Sequence, residues 1–225
     1  MELPNRDQLD KEAAAALSQL TERQKQEALR LLGNPPNIRN IPPSKWQEWK
    51  EETEAALAII LILCFSESAI YHGGTEEESR KQARVWAESQ SATLARQITE
   101  TTYTQLEAIS NRLSESTEPV PRKELLDALN RVFGPERTER IAVDAVTRGQ
   151  SVGGEWSIAE FVGKSLDDWW QNNPGMSQSG PCKTCMALHG QPRTVWELEH
   201  PSGPPAHPGC VCEIRYVNLD NAGNN

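Results

Sequence analysis

The sequence predicts a mainly α N-terminal helical region followed by a small α+β C-terminal module stapled by a metal site. Three observations carry this expectation. Apolar residues recur at helical spacing through the first half of the chain, that period is lost beyond Leu166, and four of the five cysteines crowd between Cys182 and Cys212.

The first helix is expected over Leu9 to Leu32, with Leu9, Ala13, Leu17, Leu20, Ala28, Leu31 and Leu32 on one stripe and Gly33-Asn34-Pro35-Pro36 as its stop. Ser44 then stands as a cap before Lys45 for a second helix to about Tyr71. That helix begins amphipathic, with Trp46 and Trp49, turns wholly apolar, and ends at Gly73-Gly74. Its most apolar run, Ala55 to Phe65, is far shorter than the roughly 20 residues a bilayer crossing needs, so a buried helix and no membrane segment are expected. Lone Cys64 lies inside this run and reads as core packing.

Thr75 caps a third, long helix from Glu76 to about Ser114, whose first turn places Glu76, Glu77 and Glu78 where the helix dipole favours negative charge. Its stripe (Val85, Trp86, Leu94, Ile98, Leu106, Ile109, Leu113) is sparse. The linker-like run from Ser114 to Pro121 suggests a boundary, giving a helical domain over 1–118, a second module over 119–217 and a frayed tail over 218–225. Within the module, helices are expected over Arg122 to Phe133, Pro135 to Gly149 and Ser157 to about Lys164. Short strands are expected over Asp168 to Asn172 and Val211 to Val217.

The chain has 23 Lys and Arg against 32 Asp and Glu, and neither half is basic. Phosphate neutralisation needs clustered cations, so affinity-dominant DNA binding is disfavoured. The N-terminus lacks the basic, apolar and small-residue sequence of a secretory signal, which points to a cytosolic setting and against disulfides. The seven tryptophans are expected to anchor cores.

Cys182-Lys183-Thr184-Cys185 is a C-x2-C knuckle, and His207-Pro208-Gly209-Cys210-Val211-Cys212 supplies a second group of donors after 21 intervening residues. A two-residue turn brings two sulfurs toward one point, and Cys210 and Cys212 would share a face if Val211 lay in a strand. Four of the five residues Cys182, Cys185, His207, Cys210 and Cys212 are expected to hold a structural zinc ion, with His207 and Cys212 competing for one place. Two disulfides and free thiols are the alternatives. No zinc-deaminase H-x-E, nucleophile elbow, phosphate-binding glycine loop or H-E-x-x-H occurs, so no enzyme is expected.

Cys182-x2-Cys185-x2-Leu188-His189-Gly190-Gln191, followed by Pro204-Pro205-Ala206-His207-Pro208-Gly209-Cys210-Val211-Cys212, resembles the C-terminal signature of Mu F-like phage minor head proteins. The segment Arg137 to Gly153 and Asp168-Trp169-Trp170 are similar to the helix and tryptophan-bearing strand that precede that signature, so the resemblance covers roughly Arg122 to Val217. It departs from the pattern where the family carries Arg-Thr-Glu in the helix and this chain has Val143-Asp144-Ala145, where Val211 replaces an Arg, and where His189 replaces an Asp. The resemblance implies a structural minor head protein of the virion, present in the host cytoplasm during assembly. Its implied partners are the portal protein and other capsid components, with packaged DNA met indirectly and a homo-oligomer as a further expectation. A zinc-ribbon-like protein- or nucleic-acid-binding module and a toxin or enzyme remnant are the alternative readings.

Overall fold

A computed structural model describes residues 5–114, 119–173 and 182–222. The core of the expected linker (115–118), Pro181 before the first knuckle and the last residues of the expected frayed tail lie outside them. Among these residues the protein is mainly helical, with one two-stranded antiparallel sheet and a C-terminal cysteine and histidine cluster. In chain order the elements are α1 (Arg6–Leu32), α2 (Pro43–Tyr71), α3 (Glu76–Ser114), α4 (Arg122–Phe133), α5 (Pro135–Ser157), β1 (Trp169–Gln171), α6 (Lys183–Leu188), α7 (Arg193–Glu199), β2 (Glu213–Arg215) and α8 (Val217–Ala222).

These elements form two compact units that interleave along the chain. One contains Met1–Ala13, Ile59–Ala87 and Arg140–Asn225, and the other Ala14–Ala58 and Glu88–Glu139. A single cut at residue 118 does not separate them, because α1, α2, α3 and α5 each contribute a segment to both.

The second unit is a helical core. Ala28, Leu32, Trp49, Leu106, Leu113, Leu125, Leu129, Val132 and Phe133 are buried together. The Trp49 ring meets Phe133 edge-on at 6.2 Å while its indole N–H donates to Glu27 at 2.7 Å, so the apolar body is buried and its polar edge is satisfied. The Asn34 side chain pairs with both backbone groups of Val120, at 2.9 and 3.1 Å, which ties the turn after α1 to the start of α4. Arg137 donates to the Val132 and Ile98 carbonyls and to Thr102, joining α3 to the α4–α5 corner.

Local chemistry explains most helix ends. α2 starts at Pro43, whose missing N–H costs nothing at a first helical position, so Ser44 lies inside the first turn instead of capping it. Gly73, at φ +101°, ends α2, and the Gly74 N–H reaches the Ala69 carbonyl at 2.9 Å, closing the orphaned last turn. Thr75 caps α3, its Oγ accepting from the Glu78 N–H at 3.3 Å and donating to the Glu78 carboxylate at 2.8 Å.

α2 departs from the expectation in one respect. It is 29 residues long and contains an 18-residue window apolar enough, by length and composition, to cross a membrane. Half of that window is buried inside the protein, including Ile60, Leu61, Cys64, Phe65 and Ala69. Ile59, Leu63 and Ile70 are exposed. Burial pushes the Cys64 thiol up to about 12, which keeps it a neutral core residue.

α5 runs through Gly149, where the sequence suggested a stop, to Ser157. It continues as a π-helical turn over Ile158–Val162 that Gly163 closes at φ +97°. The separate helix expected over 157–164 is therefore the tail of α5. The glycines serve contact with α2: a Cβ on Gly149 would stand 2.7 Å from Cys64 Cβ, and one on Gly153 would stand 2.3 Å from the Phe65 carbonyl oxygen. The helices approach so closely only because these side chains are missing, and Phe65 then packs beside Trp86 and Trp156. Gly153→Ala is expected to destabilise the protein by about 1–3 kcal/mol through overpacking, despite alanine's better helix propensity. Urea unfolding checks this, and a neutral or stabilising result would contradict the contact.

Candidate metal centre

Beyond α5 the described residues form elements of three to seven residues, too short to stand alone, so their cohesion must come from specific contacts. β1 pairs with β2 through Trp169 with Arg215, Trp170 with Ile214 and Gln171 with Glu213. On its other edge the Trp170 N–H donates to the Gln191 carbonyl at 3.0 Å and the Gly190 N–H to the Trp170 carbonyl at 2.8 Å. Trp170 is thus fixed from both sides and fully buried, among Cys185, Leu188, Trp196, Cys210, Cys212, Ile214 and Tyr216.

The same region holds a buried ionic clasp that the sequence did not announce. Arg193 on α7 is 2% exposed and donates to Glu155 of α5 at 2.8 and 3.0 Å, to Asp168 at 3.1 Å and to Glu197 at 3.0 Å. Its guanidinium also lies 4.7 Å from the Trp196 ring centroid. Asp168, itself 1% exposed, accepts in addition from the backbone N–H groups of Ser165 and Val217, and its carbonyl receives the Trp196 indole N–H. Burial pushes Glu155 upward, but the bonds from Arg193 and Lys164 outweigh it and hold the carboxyl below its ordinary range.

The two cysteine and histidine knuckles converge. Cys182 caps α6, its Sγ accepting from the Cys185 N–H at 3.2 Å, so the C-x2-C spacing is one helical turn that points both sulfurs inward. His207-Pro208-Gly209-Cys210 is a tight turn with proline second and glycine third, Gly209 at φ +79°, closed by the Cys210 N–H on the His207 carbonyl at 3.0 Å. All five sequence-predicted residues fall into two overlapping groups: Cys182, Cys185 and His207, and Cys185, Cys210 and Cys212, the donor atoms of each lying within 4.8 Å of one another. Cys185 belongs to both. Val211 lies outside β2, contrary to expectation, yet Cys210 and Cys212 are both buried in the same core.

The geometry suits a cation. Cys185 Sγ lies 3.8 Å from Cys210 Sγ, which matches the sulfur–sulfur edge of about 3.8 Å that a tetrahedral site with metal–sulfur bonds of roughly 2.3 Å requires. His207 Nε2 stands 3.1 Å from Cys185 Sγ while its Nδ1 meets the Pro208 carbonyl at 3.1 Å, an orientation that leaves Nε2 free to bind. The buried Trp170 indole N–H has no oxygen or nitrogen acceptor among the described residues, and it lies where it favours the Cys212 thiolate.

Without a cation the thiols must share protons. Hydrogen bonds from Cys210 and Cys212, then burial, push Cys185 far up, while the bonds from Cys185 and Cys212 pull Cys210 down. Cys212 is drawn down by Cys185 but raised more by Cys210 and by burial, to about 12. Cys210 is the buried thiol that most favours the thiolate, and a divalent cation would favour ionisation of its neighbours beside it. The described cluster can therefore hold a metal ion, either with three cysteines and the histidine or with cysteines alone.

The remaining histidines are placed elsewhere. His72 is buried with Nδ1 on the Ser68 carbonyl at 2.7 Å, and the Ser68 hydroxyl donates to the Gln150 carbonyl at 2.6 Å. His189 accepts from the Asn172 N–H, and His200 packs on Trp170. Sequence reasoning missed Arg193, Asp168 and Glu155 because their pairing joins positions far apart in the chain, and a lone arginine in a short helix carries no local signal.

Arg193→Met should cost about 3–5 kcal/mol at neutral pH, because it removes the guanidinium from buried Asp168 and leaves Glu155 with Lys164 as its remaining cation. Since the folded-state pKa of Glu155 is lowered, its contribution is present in full above the unfolded value near 4.5 and is lost as pH falls through the lowered one. The gap between wild type and variant in urea unfolding should therefore narrow in strong acid, and a pH-independent gap would contradict the ionic origin. No known family, curated protein or solved structure matches this chain.

Proposed function

We propose that the protein is a structural minor head component of a bacteriophage, acting at the portal vertex during head assembly or genome delivery, with a C-terminal module fastened by a structural zinc ion. The observation that carries the zinc is the meeting of two knuckles on Cys185, with a sulfur–sulfur distance fit for tetrahedral coordination. Cys182, Cys185, His207 and Cys210 are the four ligands in this reading. The imidazole is already oriented by the Pro208 carbonyl, and Cys212, which shares its donor group with Cys185 and Cys210 and its core with Trp170, is the donor left out. Four protein ligands leave no open position for a substrate, so the ion holds structure and does not activate water.

The phage assignment is supported by the order of helix, tryptophan-bearing strand and paired knuckles from Arg122 to Val217, the part of the chain that resembles Mu F-like minor head proteins. Pairing of the Trp169-Trp170 strand with the segment just after Cys212 gives that order a physical purpose, because it delivers the second knuckle to the first. The portal protein is the partner of this reading, and the virion and the host cytoplasm its location.

Metal analysis of protein purified without added zinc is expected to find about one zinc per chain. Cys185→Ser should lose it, His207→Ala should weaken it, and Cys212→Ser should keep it. Zinc retained by His207→Ala but lost by Cys212→Ser would exchange the fourth ligand, and no zinc in freshly reduced protein would refute the metal. The head role predicts co-purification with a co-expressed portal protein at moderate salt. Salt-sensitive retention on DNA in its place would favour a nucleic-acid-binding module.

A further inference from the structure

We infer that Arg6, at the first turn of α1, is a positioning residue of the metal centre, acting through Thr147 on the backbone of Cys210, so that docking of this turn and metal binding are coupled. The inference rests on the zinc reading above. Arg6 is only 8% exposed, and every group it needs is supplied within its own unit. Its Nε donates to Asp10 at 2.9 Å, one terminal nitrogen to Gln150 at 3.0 Å, and the other to Thr147 Oγ1 at 2.7 Å.

The direction of the next bond follows from chemistry. A guanidinium has no acceptor, so Thr147 Oγ1 must accept from Arg6, and the single hydroxyl proton is left for one acceptor. That acceptor is the Cys210 carbonyl, 2.6 Å away. Thr147 is 1% exposed and Cys210 1%, so water does not compete at either end. A hydroxyl that receives a charge-assisted bond is a stronger donor, and the chain from Asp10 through Arg6 and Thr147 therefore ends as a firm grip on the peptide after Cys210. The Cys210 N–H is meanwhile held by the His207 carbonyl at 3.0 Å. With both backbone groups of Cys210 engaged, its sulfur is aimed before any ion arrives.

Groups that orient ligands from behind change metal affinity by about 10–100-fold when removed. Coupling of this kind is reciprocal, so metal that fixes Cys210 also secures the first turn of α1, and release of the metal loosens that turn. Arg6 and Cys210 stand near opposite ends of the sequence, and the relay makes the N-terminal turn a reporter of metal occupancy.

The test uses the zinc-loaded full chain in competition with a chromophoric zinc chelator. Thr147→Val and Arg6→Met should each lower zinc affinity at least about tenfold. Thr147→Ser, which keeps the hydroxyl, should bind as wild type does, and the double variant Arg6→Met/Thr147→Val should be little weaker than either single one. Hydrogen exchange on wild type needs no variant to fold: stripping zinc should speed exchange over residues 6–13 as well as around Cys210. Wild-type affinity in Thr147→Val, additive losses in the double variant, or unchanged exchange over 6–13 while the cysteine segment loosens would each overturn the coupling and leave the zinc site standing. Absence of zinc from wild type would remove the reading beneath it.

Discussion

The buried guanidinium of Arg193 is the constraint around which the C-terminal module is arranged. It gathers a carboxylate from α5, one from the residue before β1 and one from its own helix, and it lies against the ring of Trp196. Three-residue strands and helices of six or seven residues cannot nucleate by themselves. A planar cation with five donors solves this by fixing several short segments to one point. Through Asp168, which also binds the Val217 N–H, the clasp reaches the residue where β2 gives way to α8.

Arg193 lies against Trp196, which shares one small buried core with Trp170 and the cysteines. The clasp is complete within the protein, since each buried charge has its counterpart. The cysteine cluster differs, because several thiols face one another there and their joint ionisation would be favoured by a cation. This difference separates the two: Arg193 is paired from within the protein, and the cysteine cluster is the place that could hold a metal ion. Tight apposition of α5 to α2 through Gly149 and Gly153 supplies the rigid base on which both act, since Glu155 and Thr147 project from the same helix.

Much of this was readable beforehand where the controlling physics is local. The 3.6-residue period, the acidic first turn after Thr75 and the glycines after Tyr71 placed α3, α4 and the end of α2 closely. The α5 glycines misled, because a helix-breaking propensity of about 1 kcal/mol per glycine is small beside the contact with α2 that their missing side chains allow. Ser44 misled for a different reason: Pro43 could already occupy the first helical position. The apolar run in α2 looked shorter than the apolar window in that helix, because Ser66-Glu67-Ser68 interrupts the contiguous run without lowering the average much.

The helical body, the two knuckles and the five candidate ligands were all legible in the chain as written, since they depend on short spacings that the backbone converts directly into geometry. Packing in three dimensions settled the rest: that the chain forms two interleaved units, that Cys185 is shared between both donor groups, that Arg193 pairs with Asp168 and Glu155, and that Arg6 bonds Thr147. Those are pairings between distant positions. They arise when buried charges and donors must find partners wherever packing brings them, and no local pattern records that choice.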